Sequence, residues 1–238
     1  MSVAAVVQAT HNLYYMLMSQ RTSWLEQHIS LHSHDTPREE RANAATHGIG
    51  ALLAPLGLLL LILRGVGEEP WTIVLSDAVF GFAMVLLYGN STLYHVSNHP
   101  KWKRLFRVLD HMSIYILIAG TYTPLMARID APWAGRTLLL VWLLAAGGMA
   151  FKLLFWGRFR VLQVLFYLGM GWLAIIRIEE LYDLLPQELI WSILAGGLFY
   201  TAGTVVYALK RMPFYHAVWH LFVLGGSGSF FYGIYSYL

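Results

Sequence analysis

Seven long apolar segments dominate this chain, and each has roughly the 20 residues that an α-helix needs to cross a bilayer. Short connections separate them, so consecutive segments are predicted to be antiparallel helices of one bundle. Of the 238 residues, 58% are hydrophobic and only 12% are charged, whereas a soluble domain has about 25% charged residues. This composition, without any cysteine, excludes a soluble enzyme, a disordered chain and a disulfide scaffold. We expect an all-α integral membrane protein, a seven-transmembrane helix bundle with spans at 46–63, 71–94, 105–127, 134–156, 160–178, 188–209 and 214–237.

Residues 1–36 are expected to form an N-terminal cytoplasmic extension, and residues 37–238 the seven-transmembrane domain. Met1–Met18 lacks the basic start and small-residue cleavage site of a secretory signal, so it is interpreted as an amphipathic or flexible segment. A helix start follows, because Thr36 and Glu39 form the pattern of a capping box and Pro37 suits the first helical position. This helix is predicted to continue into the first span.

Basic residues are distributed unequally between the two sides of the predicted bundle. With alternating spans, twelve of the 16 lysines and arginines lie on the side of the N-terminus and four on the other. Because basic loops stay in the cytoplasm, the N-terminus is predicted to be cytoplasmic and the C-terminus outside, in the inner or plasma membrane of the cell. The twelve are Arg21, Arg38, Arg41, Lys101, Lys103, Arg104, Arg107, Lys152, Arg158, Arg160, Lys210 and Arg211; the four are Arg64, Arg128, Arg136 and Arg177.

Small residues recur every four positions in the first and last spans, a spacing that lets helix backbones approach closely. They are Ala42, Thr46, Gly50 and Ala54, and then Gly225, Ser229 and Gly233. We interpret both series as packing surfaces.

Polar residues of three spans gather at one predicted depth, the cytoplasmic end of the bundle. Ser91 and His95 close the second span, Asp110 begins the third, and His216 and His220 begin the seventh. His216 and His220 are four residues apart and therefore share a helix face, as two metal ligands on one helix must. Three imidazoles with an open position form the ligand set of a catalytic zinc site, so Zn²⁺ is the predicted cofactor. Asp110 would orient or deprotonate the water on the metal, and Ser91 would hold Asp110 or stabilise an oxyanion.

Other interpretations of these residues remain open. A histidine inside a span is often a hydrogen-bonded packing residue, and the same groups would also suit a proton relay. His47 and Glu40 lie at the same level and are assigned to the headgroup region, with a supporting role in the metal site as the alternative. His111 adjoins Asp110 but points about 100° away from it on a helix, so it is interpreted as a packing residue or as one at the lipid interface.

Several segments together resemble the bacterial hemolysin III family, which belongs with the progestin and adiponectin receptors and is distantly similar to alkaline ceramidases. The resemblance covers about residues 37–238, and it is carried by Glu39–Gly48, Ser91–His95, Leu109–His111, Ile118–Pro124 and His216–Ser227. It implies seven transmembrane helices, a cytoplasmic N-terminus, and zinc held by His95, His216 and His220. It also implies that Asp110 contacts the water on the metal, with Ser91 beside it.

Two classes of function follow from these patterns. The first is a zinc hydrolase of lipid amides or esters, by analogy with ceramidases, with a membrane lipid as substrate. The second is a pore-forming protein or a non-enzymatic regulator of membrane homeostasis. A pore requires a continuous polar stripe, whereas the polar residues here lie at one end and the outer halves of the spans are mostly apolar, which favours a closed site. The predicted partners are the bilayer and its lipids; no nucleic-acid partner is expected, and no oligomeric state is indicated.

Overall fold

The computed structural model describes residues 2, 4–5, 7–8, 11, 23–31, 35–210 and 212–238. The segment predicted over Met1–Met18 lies largely outside these residues, as do Arg21 and Arg211. From residue 23 onward the described ranges contain helices α1 to α9 and a 3-10 helix. Their bounds are α1 Trp24–His28, α2 Pro37–Gly65, α3 Trp71–Val96, α4 Pro100–Ala127, α5 Pro132–Leu154, α6 Arg160–Gly171, the 3-10 helix Leu173–Arg177, α7 Ile178–Leu184, α8 Gln187–Ala208 and α9 Tyr215–Tyr237.

Six helical stretches are long and apolar enough to cross a membrane: α2, α3, α5, the run Arg160–Leu184, α8 and α9. The chain is therefore a membrane protein, and large hydrophobic side chains such as Leu52, which is 81% exposed, cover the outside of these helices. Helix α4 is equally long but is not apolar enough to be counted with them, because its membrane-length part also contains Asp110, His111 and several tyrosines and threonines. The predicted count of seven spans is thus not confirmed.

The expected helix start at Thr36 is confirmed in detail. The Thr36 hydroxyl accepts a hydrogen bond from the Glu39 backbone N–H at 3.3 Å, and Glu39 Oε2 accepts one from the Thr36 backbone N–H at 2.8 Å. The fifth predicted span, 160–178, is instead interrupted. Helix α6 ends at Gly171 and the 3-10 helix follows, held to α4 by the Tyr122 hydroxyl, which donates to the Gly171 carbonyl and accepts from the Ala174 N–H.

Helices α2, α3, α4 and α5 pack in sequence, and α9 packs between α8 and α2. Their backbones approach closely at glycines, as the small-residue spacing predicts: a Cβ added at Gly50 would lie 2.4 Å from the Tyr88 ring. A Cβ added at Gly81 would lie 2.8 Å from Cα of Leu58, so the main chains of α2 and α3 are in close contact there. Gly89, on the same helix as Gly81, faces open space.

A buried ion pair, which we call the clasp, fastens the end of the bundle opposite the histidines. Asp77 has no exposed surface, and Arg128 donates to both of its carboxylate oxygens, at 2.7 and 2.9 Å. Arg64 approaches the same carboxylate to 3.7 Å and donates to the Ile234 carbonyl at 2.8 Å. The clasp therefore joins α2, α3, α4 and α9 on the side of the bundle that is away from the histidines.

Between the clasp and the histidines the interior is mostly apolar. Asp77 and His95 lie on α3, 18 residues apart, or about 27 Å along a helix. Buried side chains that fill this interval include Phe80, Met84, Leu87, Leu117 and Val223. The two polar ends are thus separated by close to the roughly 30 Å of a bilayer's hydrocarbon core.

Candidate metal centre

The structure brings the three predicted ligands together at one end of the bundle. His95 lies in the last turn of α3, and His216 and His220 lie in the first turns of α9. One ring nitrogen of each histidine lies within 4.8 Å of a ring nitrogen of the other two. His95 and His220 are buried, and His216 is partly exposed.

The start of α9 is fixed by an unusual turn. Phe214 precedes the helix with φ of 56°, a left-handed conformation that is uncommon for a bulky residue. Its backbone N–H donates to Glu39 Oε1 at 3.1 Å. The carboxylate that caps α2 therefore also secures the turn that places His216.

The Nδ1 atom of each histidine is bound to a residue of one short segment, residues 35–46. The Nδ1 atoms of His95 and His216 lie 2.8 Å from Glu40 Oε2 and 3.0 Å from Asp35 Oδ2, respectively. The Nδ1 atom of His220 lies 3.1 Å from the backbone oxygen of Asn43.

These partners decide which ring nitrogen is available to a metal. Carboxylate and carbonyl oxygens only accept hydrogen bonds, so each Nδ1 must carry the proton and donate it. In the neutral imidazole the lone pair then belongs to Nε2. All three rings consequently offer Nε2, in the hydrogen-bonded arrangement usual for metal-bound histidine.

The residues present suit a zinc ion. Nε2 of His95 is buried and, among the described residues, has no hydrogen-bond partner, which is costly unless something else binds it. A tetrahedral zinc with Zn–N distances of about 2.1 Å places its ligands about 3.4 Å apart. One ring nitrogen of each histidine already lies within 4.8 Å of the others, close enough for the three to surround one ion.

Asp110 and Ser91 lie beside this cluster, as expected from their positions in the sequence. The Asp110 carboxyl interacts electrostatically with His95 and His216 but is not among the groups that share the 4.8 Å cluster. The Ser91 hydroxyl is fully buried and interacts with the Asp110 carboxyl. A catalytic role for either residue stays a prediction.

His47 and Glu40, which the sequence pattern assigns to the headgroup region, are instead part of the centre. His47 is 3% exposed and stacks on the ring of His220 with 3.5 Å between centroids. Glu40 binds His95, and Lys103 Nζ lies 3.5 Å from the same Glu40 oxygen. The i, i+7 spacing of Glu40 and His47 puts them on one helix face and is the signal that could have found them.

Asp35 was not identified from the sequence. Burial raises the pKa of its carboxyl, but the hydrogen bond from His216, with smaller contributions from His95 and Tyr215, outweighs this and holds the pKa below its ordinary value. Asp35 therefore faces His216 as a carboxylate.

His111 lies apart from the cluster. Its Nδ1 donates to the Arg107 backbone oxygen at 2.8 Å, one turn earlier in the same helix, and its ring contacts Trp156 with 5.1 Å between centroids. This agrees with its interpretation as a packing residue.

Comparison with known proteins identifies relatives of the whole bundle. A profile of the family described as "Haemolysin-III related" matches residues 36–231. The chain is 44% identical to "Hemolysin-3" of Bacillus cereus over 202 residues, which is 84% of this chain and 92% of that protein. It is 46% identical to the "Hemolysin-3 homolog" of Bacillus subtilis (strain 168) over 204 residues, 85% of this chain and 95% of the other. It is also 29% identical to the human "Monocyte to macrophage differentiation factor" over 210 residues, 84% of each chain.

Proposed function

This chain belongs to the haemolysin III-related family, and from that premise we propose that it is a zinc-dependent hydrolase of membrane lipids. The bond it cleaves is an amide or ester, at the cytoplasmic face of the inner or plasma membrane. The observation that carries the proposal is the set of three imidazoles, each offering Nε2. Three neutral imidazoles and an open position are the usual protein contribution to a catalytic zinc.

The residues around the cluster have separate roles in this proposal. His95, His216 and His220 hold the metal, which supplies Lewis acidity and makes water nucleophilic near neutral pH. Asp110 accepts the proton of the attacking water and passes it to the departing amine or alkoxide, so the overall reaction adds one water across the bond. Ser91 donates a hydrogen bond from its hydroxyl to the oxygen that becomes negative.

The position of the cluster supports a lipid as the substrate. The histidines lie at one end of a bundle whose outer surface is apolar, about where a lipid headgroup would meet the protein. The excess of basic residues at this end supports its placement in the cytoplasm, with the C-terminus outside.

A second candidate is a pore-forming protein or a non-enzymatic regulator of the membrane, which the names of the Bacillus relatives favour. The apolar filling between clasp and histidines argues against an open polar path through the described bundle. Such a protein would leak or signal without hydrolysing lipid.

One experiment separates these candidates. Fatty-acid release from a panel of lipid amides and esters is measured with the wild type, Asp110→Asn and His220→Ala, beside a liposome leakage assay. We expect zinc-dependent release by the wild type and a decrease of about 10²–10⁴ in Asp110→Asn, the usual contribution of a general base. Zinc content should barely change in Asp110→Asn.

Liposome leakage without hydrolysis of any lipid would instead establish that the protein forms a pore. If Asp110→Asn loses zinc together with activity, the hydrolase is retained, but Asp110 binds the metal directly.

A further inference from the structure

A segment that precedes the family match reaches into the metal centre. The match begins at residue 36, whereas the chain before it contributes Asp35 and a docked piece, Ser23–Leu31, that we call the strap. Whatever the strap does is therefore a property of this chain and not one that the family match supplies.

The strap is anchored to α4 by both apolar and polar contacts. Ile29 is 1% exposed and packs against Val108 and Met112. Arg104 Nε donates to the Ile29 carbonyl at 3.1 Å, and Arg107 donates to the carbonyl and hydroxyl oxygens of Ser30.

Asp35 joins the strap to a metal ligand. Its Oδ2 accepts from His216 Nδ1 at 3.0 Å and from Asn43 Nδ2 at 3.2 Å. Only three residues lie between Leu31 and Asp35, so release of the strap would free the chain on one side of Asp35. His216 is also the partly exposed member of the three histidines, and so the one whose orientation depends most on an added partner.

We propose that the strap is a positioning part of the metal centre, in which Asp35 orients His216 and strap docking and zinc binding strengthen each other. The inference rests on the proposed zinc site but not on hydrolysis. Because coupling between two equilibria is reciprocal, the factor by which docking raises zinc affinity must equal the factor by which zinc favours docking. The strap would then control how quickly the protein exchanges its metal.

The first arm of the test measures zinc release from the full-length protein into an excess of a coloured chelator. We expect Asp35→Ala to release zinc faster than the wild type, since removing a hydrogen-bond partner from a metal-bound histidine usually lowers metal affinity about 10–100-fold. Asp35→Asn keeps an oxygen that can accept from Nδ1, so its rate should fall between the two.

A strap variant and a matched control separate coupling from a local effect of Asp35. Ile29→Ala weakens docking without touching any ligand, and we expect it also to accelerate zinc release. Leu52→Ala is the matched control, because it truncates an aliphatic side chain that is 81% exposed on the outside of α2. Its release rate should equal that of the wild type.

The second arm measures docking itself. The chain has no cysteine, so an Ile29→Cys variant carries a single thiol whose reaction with a water-soluble maleimide reports release of the strap. Labelling should be slower with zinc than without it. Equal labelling in both states, together with wild-type zinc release in Asp35→Ala and Ile29→Ala, would overturn the inference while leaving the zinc site intact. If the purified wild-type protein contained no zinc, both the inference and the proposed zinc site would be overturned. Neither arm of the test depends on catalytic turnover.

Discussion

The position of the hydrogen-bond partner distinguishes the three clustered imidazoles from His47 and His111. In His95, His216 and His220 an acceptor from residues 35–46 fixes the proton on Nδ1, so Nε2 is left for a ligand. In His111, Nδ1 instead donates to the Arg107 backbone oxygen, in the preceding turn of its own helix. Neither ring nitrogen of His47 has a hydrogen-bond partner among the described residues, and its role here is to stack on His220.

The first prediction at this scale concerns zinc content. Purified protein should carry about one zinc per chain, and His216→Ala or His220→Ala should each lower zinc affinity by more than the roughly 10–100-fold loss typical of an outer partner. His111→Ala is the control and should retain its zinc. Elemental analysis after gel filtration makes the measurement, and equal zinc in all three variants would show that the ligand set is wrong.

The helices are held in register by close backbone contacts, and α2 and α3 form the tightest of these pairs. The capping box at Thr36 begins α2 at a defined residue, which fixes the level of Glu40 and Asn43 beside the histidines. Gly81 then sets how near α2 approaches α3. The same approach brings His95 of α3 next to Glu40 of α2.

Two glycines of α3 provide a paired test of this contact. Gly81→Ala should lower the free energy of unfolding by about 1–3 kcal/mol, because its Cβ would overlap the Leu58 main chain. Gly89→Ala should raise it by about 0.5–1 kcal/mol, since alanine favours the helix and its Cβ meets open space. Thermal unfolding in detergent measures both, and a shift of the same sign in the two variants would contradict this account.

Seen as a whole, the molecule has two polar ends and an apolar middle. The clasp closes one end, and the histidines with the segment 35–46 form the other. Since lipid-facing side chains surround the middle, both ends are placed near the two membrane surfaces.

The third prediction therefore concerns orientation in the membrane. A reporter that is active only outside the cytoplasm should be active when fused after Leu238, and a reporter active only in the cytoplasm should be silent there. The reason is the excess of basic residues on the side of the N-terminus. Fusion of each reporter to the N-terminus is the control and should give the opposite result; a reversed pattern at both ends would refute the charge argument.

Local patterns predicted much of the architecture, and tertiary contacts account for what they missed. The Thr36 capping box and the His216–His220 spacing depend on residues three or four apart, so the sequence displays them directly. The break after Gly171 depends on the Tyr122 hydroxyl of another helix, and the partnership of Asp77 with Arg128 depends on how α3 meets α4. Asp35 was missed for a similar reason, because its partner His216 lies 181 residues away.

The clasp also has a consequence for how the chain enters the membrane during synthesis. Arg64 and Asp77 are 13 residues apart and arrive together in one helical hairpin, whereas Arg128 follows 51 residues after Asp77. A lone carboxylate inside the bilayer is costly, so Arg64 is the counter-ion at hand until the next helix is inserted. Arg128 then binds both oxygens of Asp77. Arg64 is left to donate a hydrogen bond to the Ile234 carbonyl of the last helix. Helices α4 and α9 thus each supply a polar partner for a charged side chain of an earlier helix.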